Sequence, residues 1–183
     1  MCREILADDV TPILMLRKLA ALDGQYFLLE SVEGGNLGRY SFLGYHPKLS
    51  VSCKNGVVKV KENGMVRILP GKPKEALQSL LEQYRSPQIE GLPTFTGGLV
   101  GYFAYETIQY AEPKLHIKQS DVNDFELMMF DKLLAFDQVM HKLCIIVNAR
   151  TADGEAGYNK AVEEIDAFIE TLRITEPIPY EKP

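Results

Sequence analysis

The 183-residue chain is 46% hydrophobic and 25% charged, with 20 basic against 25 acidic residues for a net charge of −5. That composition belongs to a globular chain with a real core, burying roughly 70% of its unfolded surface, and it offers no basic face to nucleic acid or an anionic membrane. No run approaches the ~20 apolar residues that span a bilayer, and MCREILADD puts an acidic pair where a signal peptide carries its apolar region, so the expected compartment is the cytoplasm.

Thr11 and Pro12 open the first helix, because the hydroxyl caps free amides and proline fits the first turn; the helix runs from 12 to about 22 and stops at Gly24. A strand over 25–31 ends in Glu30 and Ser31. Gly34 and Gly35 form a loop, and RYSFLGY (39–45) returns as the next strand. A three-strand meander follows, turned by Asn55-Gly56 and Asn63-Gly64, the dipeptide that best accepts the positive φ of a tight hairpin. Leu49, Val51 and Cys53 alternate with Ser50 and Ser52, and Val58 and Val60 with Lys59 and Lys61, giving one buried and one polar face.

A second helix opens at Pro73 and carries Leu77, Leu80, Leu81 and Tyr84 on one side. TFTGGLVGYFAYE (94–106) reads as a glycine-containing strand pressed against another backbone, with Tyr102, Phe103 and Tyr105 in the core. After a polar stretch to about 124, strands are expected over 126–137 and 142–149. A helix over 155–173 then gathers Tyr158, Ala161, Val162, Ile165, Phe168, Ile169 and Leu172 on one side. The proline-rich end, 174–183, reads as a linker behind one domain spanning 1–173. The sum is an α+β fold, a largely antiparallel sheet covered on one face by helices.

Signals for catalysis are sparse. Cys2, Cys53 and Cys144 form no CxxC and, being odd in number, no disulfide framework; Cys53 and Cys144 sit in apolar runs as small core residues. His46, His116 and His141 are too scattered for a metal set. Ser31 lacks the Gly-x-Ser-x-Gly elbow, and the glycines at 97–101 lack both G-x-G-x-x-G and the Lys-Thr end of a phosphate loop. Glu30 and Ser31 differ in kind: a carboxylate at the end of an apolar strand suits an ammonium group, and a nearby hydroxyl or amide suits a carboxylate. With Leu28, Leu29, Tyr40 and Phe42 as an apolar wall, such a site fits a zwitterionic amino acid. The same pair also reads as the start of a solvated turn.

LLESVEGGNLGRYSFLG, GGLVGYFAYE and FDKLLAFDQVMHKL, in that order, resemble the N-terminal region of anthranilate synthase component I, the large subunit that opens tryptophan biosynthesis. The likeness covers nearly the whole chain. It implies half of that family's two-domain sandwich fold and a feedback site for L-tryptophan, carried by Leu29, Glu30 and Ser31 with Tyr40 and Ser41 of the returning strand. Glu30 would take the tryptophan ammonium. Since Glu30 and Ser31 point to opposite faces of an ideal strand, the strand should end or bulge there.

The resemblance also implies that catalysis lies outside these residues. The family converts chorismate and ammonia to anthranilate and pyruvate with Mg²⁺, using ammonia from a glutamine amidotransferase partner (component II), in a C-terminal chorismate-binding domain. No catalytic residue and no metal are therefore expected in this chain. An exposed apolar sheet face, prone to self-association as a homo-oligomer, is expected instead. Alternative readings are the large subunit of aminodeoxychorismate synthase in the folate branch, a stand-alone amino-acid-binding module, and a scaffold that docks the amidotransferase. The Leu-Leu-Glu-Ser-Val run with Arg-Tyr-Ser favours the tryptophan branch.

Overall fold

The structure is a computed structural model that describes residues 1–22, 24–30, 38–112, 114–115, 117–118 and 120–173. Ser31, His116 and the 174–183 linker lie outside them. In chain order the elements are β1 (Cys2–Leu6), α1 (Pro12–Leu22), β2 (Tyr26–Leu29), β3 (Tyr40–Tyr45), β4 (Leu49–Lys54), β5 (Val57–Glu62), β6 (Met65–Leu69), α2 (Pro73–Glu82), β7 (Gly98–Phe103), a 3₁₀ turn (Tyr105–Tyr110), β8 (Phe125–Phe130), β9 (Lys132–Asp137), β10 (Lys142–Val147) and α3 (Gly154–Arg173). The α+β class read from the sequence is the one found, with two antiparallel five-stranded sheets ordered β1-β10-β9-β3-β2 and β6-β5-β4-β8-β7.

Contacts group the residues into two compact units. Met1–His46, Gly91–Gly97 and the segment from Asp131 onward make the first, and Pro47–Glu90 with Gly98–Phe130 make the second.

In the first unit α1 starts as the sequence indicates, with the Leu14 amide donating to Thr11 Oγ1 at 3.2 Å. Met15 and Leu19 of α1 and Ala161, Ile165 and Phe168 of α3, at helical spacing, bury against alternate strand residues: Leu43, Leu134, Phe136, Leu143, Ile145 and Val147. That is one face of the sheet. The opposite face departs from the expected bare apolar surface, because Leu133, Ala135, Cys144 and Ile146 are all buried. Phe95 contacts Phe27 and Phe42 on this face, with ring centroids 6.4 and 5.5 Å apart.

In the second unit, Ala76 and Leu80 of α2 cover Leu49, Val51, Cys53, Val58, Val60, Phe125, Leu127 and Met129. The other face of this sheet carries Ser50, Ser52, Lys59, Lys61 and Glu126, but also Val66, Ile68, Val100 and Met128, so it is mixed, with Val66 and Ile68 of the edge strand exposed. Both Asn-Gly turns have the positive φ that selects those residues, 51° and 77° at Asn55-Gly56 and 50° and 79° at Asn63-Gly64.

Three details differ from the sequence reading. Cys2–Leu6 is a strand, pairing with β10 along the sheet edge. The single strand expected over 126–137 is two, β8 in the second sheet and β9 in the first, broken at Asp131, whose carbonyl accepts from the Asn148 amide at 2.8 Å. In β7, Gly101 does pack backbone to backbone, since a Cβ there would lie 2.0 Å from the Glu126 carbonyl oxygen. The neighbouring aromatics do not fill the core, however: Phe103 is 60% and Tyr105 79% exposed, because β7 is an edge strand and Tyr105 has already left it.

Candidate functional site

Of the site residues named from the sequence, Leu29, Tyr40 and Ser41 lie on β2 and β3 and Glu30 follows β2, while Ser31 lies outside the described residues. β2 pairs with β3 so that Leu28 opposes Leu43 and Leu29 opposes Phe42. Alternation sends Leu28 to the helix side and Phe27 and Leu29 to the other. Tyr40 and Phe42, two residues apart, share the Leu29 side, their rings 5.9 Å apart. With Phe27 and Phe95 they form an aromatic strip whose rim is Leu29, 48% exposed. Glu30 follows β2 directly and is exposed, so the strand ends where an end or bulge was expected.

Arg39 borders this strip. Its guanidinium lies 4.9 Å from the Tyr40 ring centroid. Its Nε and Nη2 donate to Asp137 Oδ2 at 3.0 and 2.5 Å, while Asp137 Oδ1 accepts the Val139 and Met140 amides at 3.1 and 3.0 Å. Burial works against the Asp137 charge, but Arg39 and the two amides prevail and hold its carboxyl below the usual carboxylate range. Burial, reinforced by the Asp137 charge, raises the Tyr40 hydroxyl above its ordinary value, so Tyr40 stays neutral.

Ser41 belongs to the opposite side. It opposes Phe136 in register, is completely buried on the helix face, and its Oγ accepts from Gln138 Nε2 at 2.8 Å. The Gln138 amide in turn donates to the Arg39 carbonyl at 2.9 Å. The structure thus places Leu29 and Tyr40 on one side of the sheet and Glu30 directly after β2, and sets Ser41 on the opposite side, bonded to Gln138 at the end of β9. Sequence reasoning missed Phe95 and the Arg39–Asp137 pair. Asp137 carries a local signal, an aspartate two and three residues before the amides of a hairpin turn. Phe95 is distant in sequence and carries none.

A groove of about 1000 Å³ lies in the second unit between α2 and the 3₁₀ turn, walled by Leu77, Leu81, Phe103, Tyr110 and Phe125. It contains none of the site residues named from the sequence. Among the described residues no group of three His, Cys, Asp or Glu side chains is placed to hold a metal, and no helix is long and apolar enough to cross a membrane.

No family model matches the chain. Curated relatives do. Anthranilate synthase component 1 of Acetivibrio thermocellus is 35% identical over 167 residues, 88% of this chain and 34% of that protein. The Synechocystis protein of the same name is 34% identical over 188 residues, 98% of this chain and 37% of that protein. The chain is homologous to part of anthranilate synthase component 1. It spans about a third of the length of these relatives. The chloroplastic anthranilate synthase alpha subunit 2 of Oryza sativa is 36% identical over 160 residues, 78% of this chain and 26% of that protein. Anthranilate synthase component I from Streptococcus pneumoniae TIGR4, a solved structure, shares the fold with a TM-score of 0.57 at 24% identity, over 94% of this chain and 37% of that one.

Proposed function

We propose that this chain is the N-terminal regulatory part of anthranilate synthase component I and binds L-tryptophan as feedback inhibitor. The observation that supports this reading is the exposed Glu30 that follows β2 directly after Leu29, whose side of the sheet carries the Tyr40 and Phe42 rings. Glu30 accepts the tryptophan ammonium, the aromatic strip packs the indole, and Ser31 contributes to the same pocket. The whole protein then makes anthranilate and pyruvate from chorismate and glutamine-derived ammonia in the cytoplasm. The C-terminal chorismate-binding domain supplies the Mg²⁺ site, and component II supplies the ammonia. Inhibition follows from differential binding: tryptophan favours one arrangement of the protein and chorismate another.

The test is thermal unfolding of the chain with increasing L-tryptophan, against D-tryptophan and L-phenylalanine. Ligand at ~100 times its Kd stabilises by about 2.7 kcal/mol, which for a domain of this size raises Tm by about 5 to 10 °C. Glu30→Gln is expected to abolish that shift. Equal shifts with both tryptophan enantiomers, or an unchanged response in Glu30→Gln, would overturn the site. In the whole enzyme, Ser31→Phe is expected to fill the pocket and raise the tryptophan concentration for half-inhibition at least tenfold while sparing turnover.

A further inference from the structure

Two of the three free cysteines are neighbours. Cys2 opposes Ile146, and Cys144 opposes Glu4, so the two thiols stand one residue pair apart on the same face of adjacent strands. Met1 and Val147 exchange both backbone hydrogen bonds, the terminal ammonium donating at 2.7 Å and the Val147 amide at 3.0 Å. Alternation then puts Cys2 and Cys144 in non-hydrogen-bonded pairs, opposite Ile146 and Glu4, and makes the two thiols diagonal neighbours on one face. The neighbouring Cys144 thiol holds the Cys2 thiol below its ordinary pKa, despite burial and the Glu4 carboxylate, with the Met1 ammonium assisting. The same contact, together with burial, raises Cys144. The thiol more disposed to ionise is also the accessible one, since Cys2 is partly exposed and Cys144 is buried.

We propose that Cys2 and Cys144 are a redox-active dithiol that a hydroperoxide closes into a disulfide between β1 and β10. The Cys2 thiolate attacks a peroxide oxygen, the O–O bond breaks, and a Cys2 sulfenic acid forms with release of hydroxide. Cys144 then attacks the Cys2 sulfur, its proton leaving with the sulfenic hydroxyl as water. Two thiols and one hydrogen peroxide thus become one disulfide and two waters. β1 is an edge strand whose strand partner is β10, with Arg3 also paired to Asp166 of α3, so a local shift at its Cys2 end along β10 would bring the Cα atoms to the roughly 4.4 to 6.8 Å that a disulfide spans. Cys53 provides an internal control, because burial and the adjacent Asp124 push its thiol up to about 11 and keep it protonated at neutral pH.

The experiment treats the native protein with hydrogen peroxide, blocks remaining thiols by alkylation and digests with trypsin without reductant. The expected product joins the Met1–Arg3 peptide to Leu143–Arg150, with Cys53 alkylated and the link reversed by dithiothreitol. Oxidised protein should also melt several degrees above reduced protein, and Cys2→Ser should lose both the link and the increase. If peroxide carries Cys2 to sulfinic acid while Cys144 is recovered alkylated, or if the link forms only in denaturant, the dithiol is not formed by the fold.

Discussion

Asp137 accepts two donors from Arg39 on one oxygen and two turn amides on the other, so a single carboxylate fixes both the approach to β3 and the β9–β10 turn. Asp137→Ala is expected to cost about 1 kcal/mol, measured by urea unfolding, because partly exposed donors that water can serve lose a buried acceptor. The pH dependence has a definite sign. The folded carboxyl ionises below the ordinary value of about 3.9, so its stabilisation is complete above that value and is lost as pH falls through the lowered one. Asp137→Asn should therefore flatten the acid limb of the stability curve below about pH 4. At this scale the sequence offered Leu29, Glu30 and Tyr40 as candidates because an apolar strand stops at a carboxylate, a pattern that also fits the start of a solvated turn. Alternation already sets Tyr40 and Ser41 on opposite faces, and only the Gln138 contact shows what Ser41 does there.

The elements were legible where their causes are local. The Thr11-Pro12 start and the two Asn-Gly turns act within a few residues, and all three appear where expected. β1 escaped notice because Cys-Arg-Glu-Ile-Leu has no clean alternation and becomes a strand through β10, far along the chain. The break at Asp131 escaped because Asp131-Lys132 interrupts two apolar runs without the glycine or proline that would mark a change of sheet. Two substitutions test the elements of the second unit. Gly101→Ala should cost about 2 kcal/mol or more, because its methyl group meets the β8 backbone rather than a side chain that can swing away. Tyr110→Phe removes the 2.6 Å hydroxyl donation to Asp124, which also receives the Gly56 amide and the Cys53 thiol. A loss of about 1 to 2 kcal/mol is expected by denaturant unfolding.

On the scale of the whole molecule, neither unit is a continuous stretch of chain: each is completed by residues that arrive after the other has begun. A fragment covering residues 1–90 would hold β1 to β6 but lack β8, β9 and β10, the strands through which each sheet is joined. Such a fragment is expected to show no cooperative transition by circular dichroism.

The pairing of β1 with β10 also sets a timetable. Met1 meets a partner 146 positions away, so the first strand to be made is among the last to be satisfied. Closing so long a loop has little to offset its entropy until β9 and β10 exist, and domains ruled by distant pairings fold in milliseconds to seconds rather than microseconds. During that interval β1 and the β2–β3 hairpin wait with unpaired edges, and it is then that a chaperone, or a neighbouring copy, would find them.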